Sequence, residues 1–192
     1  MEDSEIVIKK QIEDLKAQLP KKIRKPKKFP VFITADEFAL LIKATSKEHH
    51  KLAFLLAFAS GLRISEVINL TQDKIDINNN SIFISQGKGK KDRIVPLPKV
   101  FKEKHLKLIP FKIGARALEK AFKKSADKAG LLKLKPTLHF HSLRHGFATH
   151  GVSRGMDVVV LRDLMGHSDI STTNVYIGMN PKKALDEYQR LF

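Results

Sequence analysis

"HHKLAFLLAFASGLRISEVINL", residues 49–70, decides how this chain folds. Up to Ala59 its apolar side chains fall on nearly every side of a helical projection, which predicts a buried central helix and not a surface one. Ser60 and Gly61 break it, and from Arg63 a second short helix follows. Just upstream, "TADEFALLIKAT" (34–45) sets Thr34 three residues before Glu37, a capping-box signature that predicts a helix start. From Asp73 the apolar period changes to two. "KIDI" (74–77), "SIFIS" (81–85) and "RIVPL" (93–97), joined by "NNN" and "GKGKKD", predict three short strands in an antiparallel meander.

Helical spacing returns after Pro98 in "KVFKEKHLKLI" (99–109), "GARALEKAFKKSADKAG" (114–130) and "HFHSLRHGFATH" (139–150). Further helices are expected over 157–165, 171–179 and 181–191, the last with Pro181 as its first residue. The fold class is therefore mainly α with a small three-stranded antiparallel sheet (α+β). Ahead of it, residues 4–19 predict a short amphipathic helix ending at Pro20, and six of the eight residues 21–28 are basic. Residues 1–30 are thus read as a short helix and basic tether, and 31–192 as one folded domain.

Charge narrows the partners. Lys and Arg number 36 against 20 Asp and Glu, a formal net charge of +16, which points to a polyanion. Membrane is set aside because the longest wholly apolar run, residues 52–59, is too short to span a bilayer, and the acidic start "MEDSEIVIKK" is not a secretory signal. There are no cysteines, which removes disulfides and thiolate metal sites and fits a cytoplasmic protein. Nucleic acid is the leading partner.

Four of the eight histidines lie in residues 139–150, and His141 and His145 are four apart, a spacing that zinc can use. The residue after His141 is Ser142 where a zincin has Glu, no third ligand stands at a familiar spacing, and Arg144 sits among them. Two like charges repel in a first coordination shell, so phosphate fits this segment better than a metal. His141 and Arg144 on one helix face offer an imidazole and a guanidinium fork, both suited to phosphate oxygens. Arg63 and Glu66, also three apart, would face the same way. Lys88 lies at a glycine-flanked hairpin tip, His167 follows a helix-closing glycine, and Tyr176 falls nine residues later.

Taken in order, "ASGLRISEVINL", "GKGKKDRIVPL", "HSLRHGFATHGVSRGMDVVVLRDLMGH" and "STTNVYIGM" closely resemble the catalytic domain of tyrosine recombinases, the lambda-integrase and Xer-type group, from about Phe32 to Phe192. The resemblance implies a site-specific recombinase or integrase that breaks and rejoins double-stranded DNA through a 3′-phosphotyrosyl intermediate, with neither metal nor nucleotide cofactor. Tyr176 would be the nucleophile, and Arg63 and Arg144 would stabilise charge on the non-bridging oxygens. Lys88 would protonate the departing 5′-oxygen, and His141 and His167 would hydrogen-bond the phosphate. Glu66 would support Arg63 or a neighbouring histidine.

The resemblance also implies self-association on DNA as a tetramer, through a final helix whose Leu185, Tyr188, Leu191 and Phe192 form an apolar stripe, and a nucleoid location. Family members usually carry a separate helical DNA-binding domain of about a hundred residues ahead of the catalytic one. About thirty residues stand there in this sequence, so cleavage is expected to be retained better than tight site-specific binding or full strand exchange. The alternative reading is a non-catalytic DNA-binding remnant or accessory factor of a recombination system.

Overall fold

The computed structural model describes residues 30–85, 92–167 and 173. Its elements are helices α1 (Ala35–Ala44), α2 (Glu48–Ala59) and α3 (Ile64–Ile68), strands β1 (Ile75–Asp76), β2 (Ser81–Ile84) and β3 (Arg93–Pro96), then helices α4 (Ala115–Lys128), α5 (Leu131–Leu134), α6 (His141–Ser153) and α7 (Val158–Met165). Mostly helical, with one three-stranded antiparallel sheet in the order β1-β2-β3, it has the expected fold class.

Helix α2 is the centre of the core. Leu52, Ala53, Phe54, Leu56 and Ala57 are all buried, which its unbroken apolar circumference requires. Phe54 packs edge-on against Phe122 of α4 and Phe140 at the start of α6, with ring centroids 5.7 and 6.0 Å away. Helix α6 crosses α2 closely because Gly146 has no side chain: a Cβ there would lie 2.5 Å from the carbonyl oxygen of Ile33 and 2.9 Å from the Phe58 ring. The capping box of α1 forms as read. Thr34 N–H donates to Glu37 Oε2 at 2.8 Å, and Glu37 N–H to Thr34 Oγ1 at 3.3 Å.

Gly61 turns the chain between α2 and α3 at φ +68°, in the left-handed region. An added Cβ would also stand 2.6 Å from Phe147 Cδ1. Gly61→Ala combines a left-handed residue, costing roughly 1–2 kcal/mol, with overpacking worth roughly 1–3 kcal/mol. We therefore expect the melting temperature to fall by about 5–15 °C; a change within a degree or two by differential scanning fluorimetry would contradict the packing described.

In the sheet, Ile82 pairs with Val95 and Ile84 with Arg93, so Ile82, Ile84, Arg93 and Val95 share the buried face, while Phe83 and Ile94 face outward. Asp76 holds the turn to β2, accepting from the backbone N–H and the side-chain amide of Asn79 at 2.9 and 2.7 Å.

Two segments differ from the sequence reading. Residues 99–109 do not form an α-helix but a 3-10 turn over Glu103–Leu108, closed between Pro98 and Pro110 and tied by Lys102 N–H to His105 Nδ1 at 2.8 Å. The short α5 is additional, its four residues too few to show a period. The expected helices over 4–19, 171–179 and 181–191 lie outside the described residues, apart from Thr173.

Candidate active site

The sequence separates Arg63 from Arg144 by 81 residues; the fold brings both to the C-terminal end of α7. Asp157 caps the start of α7, accepting from Val159 N–H at 2.7 Å, and Gly166 ends it in a left-handed turn with φ +59°. A helix end leaves carbonyls unpaired and carries partial negative charge, which favours cations. Here three successive carbonyls each receive an arginine. Arg93 Nε donates to Leu164 O at 2.8 Å, Arg144 Nη2 to Met165 O, and Arg63 Nη2 to Gly166 O at 3.0 Å. Arg144 Nη1 also reaches Gly61 O at 2.5 Å, so the glycine that bends the chain supplies an acceptor to the cluster.

One carboxylate bonds two of these guanidiniums and lies 4.0 Å from the third. Glu66 Oε1 takes Arg63 Nη1 at 2.8 Å, and Oε2 takes both the Arg63 backbone N–H and Arg93 Nη2 at 2.8 Å, with Arg144 Nη1 4.0 Å away. Burial alone would raise Glu66, but the Arg63 backbone N–H and the Arg93 charge hold its carboxyl below the ordinary range. Three guanidiniums against one carboxylate leave two formal positive charges. The Arg144 side chain is 1% exposed, Arg93 6% and Glu66 11%, whereas Arg63 is 31% exposed, so an anion approaching from solvent meets Arg63 first. A cleft of about 260 Å³ runs from Arg63 and Glu66 past Asn69 and Lys74 to Phe83 on β2 and Ser85 just beyond it.

His141 opens α6 with its ring 5.2 Å from His145 and 6.4 Å from His139. Glu119 of α4 accepts the Phe140 N–H at 3.1 Å and so fixes where α6 begins. His167 follows Gly166, its Nδ1 2.9 Å from the hydroxyl of buried Thr173. Burial first, then the neighbouring arginines and histidines, push His141, His145 and His167 down to about 4. At neutral pH these rings are uncharged, so each has one nitrogen that donates and one that accepts. Among the described residues no group of three or more His, Cys, Asp or Glu could hold a metal ion, and no helix is long and apolar enough to cross a membrane.

The fold thus gathers Arg63, Glu66, Arg144, His141 and His167. Lys88 and Tyr176, the remaining expected site residues, lie outside the described residues. Arg93 was missed by sequence reasoning, since an arginine opening a strand reads as surface. Its signal was parity: Arg93, Val95 and Leu97 alternate with Ile94 and Pro96, which places the arginine inward.

Known proteins share this arrangement of sequence. The Phage integrase family matches residues 31–110 and 100–183. The chain is 32% identical over 178 residues to a tyrosine recombinase of Thermosipho africanus (strain TCF52B), covering 86% of this chain and 63% of that protein. It is 31% identical over 187 residues to tyrosine recombinase XerA of Pyrococcus horikoshii, covering 88% and 64%. The crystal structure of XerA recombinase superposes with a TM-score of 0.67 at 25% identity, over 86% of this chain and 66% of that one. This chain belongs to the phage integrase family, the tyrosine recombinases. It spans somewhat less than two thirds of the length of these two curated relatives.

The histidines set an acid limit on stability. Their folded pKa values lie below the ordinary 6.5, so the unfolded chain binds more protons between pH 6.5 and about 4. Stability is expected to be level above pH 7 and to decline as pH falls through that window, the part above pH 5 preceding the carboxylates. His145→Gln should make the decline shallower in a series of thermal melts against pH. A melting temperature constant from pH 7 to 5 would refute this.

Proposed function

We propose that this chain is the DNA-cleaving part of a site-specific recombinase or integrase, an enzyme that transfers DNA strands by transesterification. The observation that carries the reading is the convergence of Arg63 and Arg144 on one carboxylate and one helix end, beside His141 and His167. In the reaction, the Tyr176 oxygen attacks a backbone phosphorus, forming a 3′-phosphotyrosyl bond while the bond to the 5′-oxygen breaks. The tyrosine proton goes to His141, whose neutral ring has an accepting nitrogen, and Lys88 donates a proton to the departing oxygen. Arg63, Arg144 and His167 face the charge that gathers on the non-bridging oxygens; fixed donors of this kind are the largest contribution in many such enzymes. Attack by a 5′-hydroxyl reverses the step and restores Tyr176. Residues 31–192 make up this catalytic unit and residues 1–30 a short helix and basic tether.

The partner is double-stranded DNA, and the protein acts in the cytoplasm at the nucleoid. Exposed Arg116, Lys120, Lys124 and Lys128 recur every fourth residue along α4 and supply phosphate contacts outside the centre. On DNA the protomers associate as a tetramer through the apolar stripe of residues 184–192. A groove of about 580 Å³, lined by Phe58, Phe147, Gly151 and Met156, offers an apolar seat of suitable kind for it.

The deciding experiment incubates the protein with a nicked suicide duplex, so that the cut strand diffuses away and the covalent product accumulates. A protein–DNA adduct whose linked peptide contains Tyr176 is expected. Salt-sensitive DNA binding with no adduct would leave instead the non-catalytic accessory protein.

A further inference from the structure

Arg93 lies on the strand that leaves the β2–β3 hairpin, at an inward position flanked by apolar partners: Ile84 across the sheet, Val95 two residues on. An apolar residue would suit that position, and replacing a buried ion pair by well-packed hydrophobic side chains is often neutral or stabilising. A buried ion pair is therefore weak evidence that the guanidinium is there for stability. Its buried Nη1 has no hydrogen-bond partner among the described residues, a further cost of the arrangement.

We propose that Arg93 is a positioning residue of the cleavage centre, holding Glu66 on Arg63 and away from Arg144 while tying the base of the hairpin to the end of α7. This rests on the reading given under Proposed function. Two contacts carry it: Arg93 Nη2 to Glu66 Oε2 and Arg93 Nε to Leu164 O, both 2.8 Å. Glu66 Oε2 is therefore held by the Arg63 backbone N–H on one side and by Arg93 on the other. Arg144 Nη1, which donates to Gly61 O, stands 4.0 Å from the same oxygen. Without Arg93 the carboxylate can close that gap, pairing with Arg144 and leaving Arg63 less firmly aimed. The cluster would also keep only one of its two uncompensated charges. Both changes weaken stabilisation of charge developing on a phosphate, and neither removes a surface that grips DNA.

The experiment measures adduct formation in single turnover against DNA concentration for wild type, Arg93→Met, Arg93→Lys, Glu66→Gln and the Arg93→Met/Glu66→Gln double variant, with thermal melts of each. For Arg93→Met, the rate at saturating DNA is expected to fall on the order of 10- to 100-fold, while the half-saturating DNA concentration changes by less than about threefold. Arg93→Lys should recover part of the rate, and Arg93→Met should add little to the loss already caused by Glu66→Gln, because both act through one carboxylate. A wild-type rate at saturation for Arg93→Met, a loss confined to DNA affinity, a loss that Lys does not reduce, or full additivity with Glu66→Gln would each overturn the proposal. Absence of any adduct with wild type overturns the functional reading itself and this proposal with it, so the two failures are told apart by the first lane.

Discussion

Tyr176→Phe is expected to bind DNA as wild type does and to give no covalent adduct on a suicide duplex. The substitution removes one hydroxyl and leaves the ring. Phosphate affinity rests on the cationic groups, so the salt dependence and strength of binding should stay within about twofold. A phenyl ring has no oxygen to attack phosphorus, so the loss is qualitative and does not depend on pH. The only other phenol in the sequence is Tyr188, and serine or threonine hydroxyls are less acidic than a phenol, whose pKa is near 10. Adduct formation by the variant above background would reject Tyr176 as nucleophile and with it the reaction proposed.

Arg144→Ala is expected to lose both catalysis and fold stability. Arg144 is among the largest fully buried side chains, and it donates to Gly61 O and Met165 O, thereby joining the α2–α3 turn to the end of α7. Truncation leaves those carbonyls without their donors and opens a cavity in the centre. Breaking such a buried charged arrangement costs about 3–5 kcal/mol, roughly 6–20 °C in melting temperature for a chain of this size. At a temperature where the variant remains folded, cleavage should fall by on the order of 10²–10³ or more. Arg144→Lys separates the two effects. It keeps the charge, but a lysine cannot fork between two carbonyls, so it should recover some stability and little activity. A stable, active Arg144→Ala protein would show that the convergence at α7 is incidental to function.

The fold was legible wherever one pattern dominated. Apolar residues on all sides of 49–59 could only mean a buried helix; Thr34 with Glu37 marked a helix start; and alternation in "SIFIS" and "RIVPL" gave the sheet. Residues 99–109 misled because their spacing of apolar and basic residues suits an α-helix, while flanking prolines and a histidine bonded back to Lys102 settle them as a tighter 3-10 turn. For the site, residue types and order were readable, but not the means of assembly. Nothing local says that Leu164, Met165 and Gly166 offer their backbone oxygens, because any sequence presents carbonyls. Arg93 was hidden for a related reason, since its meaning lies in which side of the strand it occupies.

The arginine contacts that build the cluster span long stretches of chain: 103 residues between Arg63 and Gly166, 83 between Gly61 and Arg144, and 71 between Arg93 and Leu164. Ordering such distant partners demands that the intervening backbone already be arranged, so these joins belong to the late stages of folding. A nascent chain still lacking residue 164 owns arginines but no assembled centre. Whatever this cluster does to a phosphate, it does only once the chain as far as Gly166 has been made and folded.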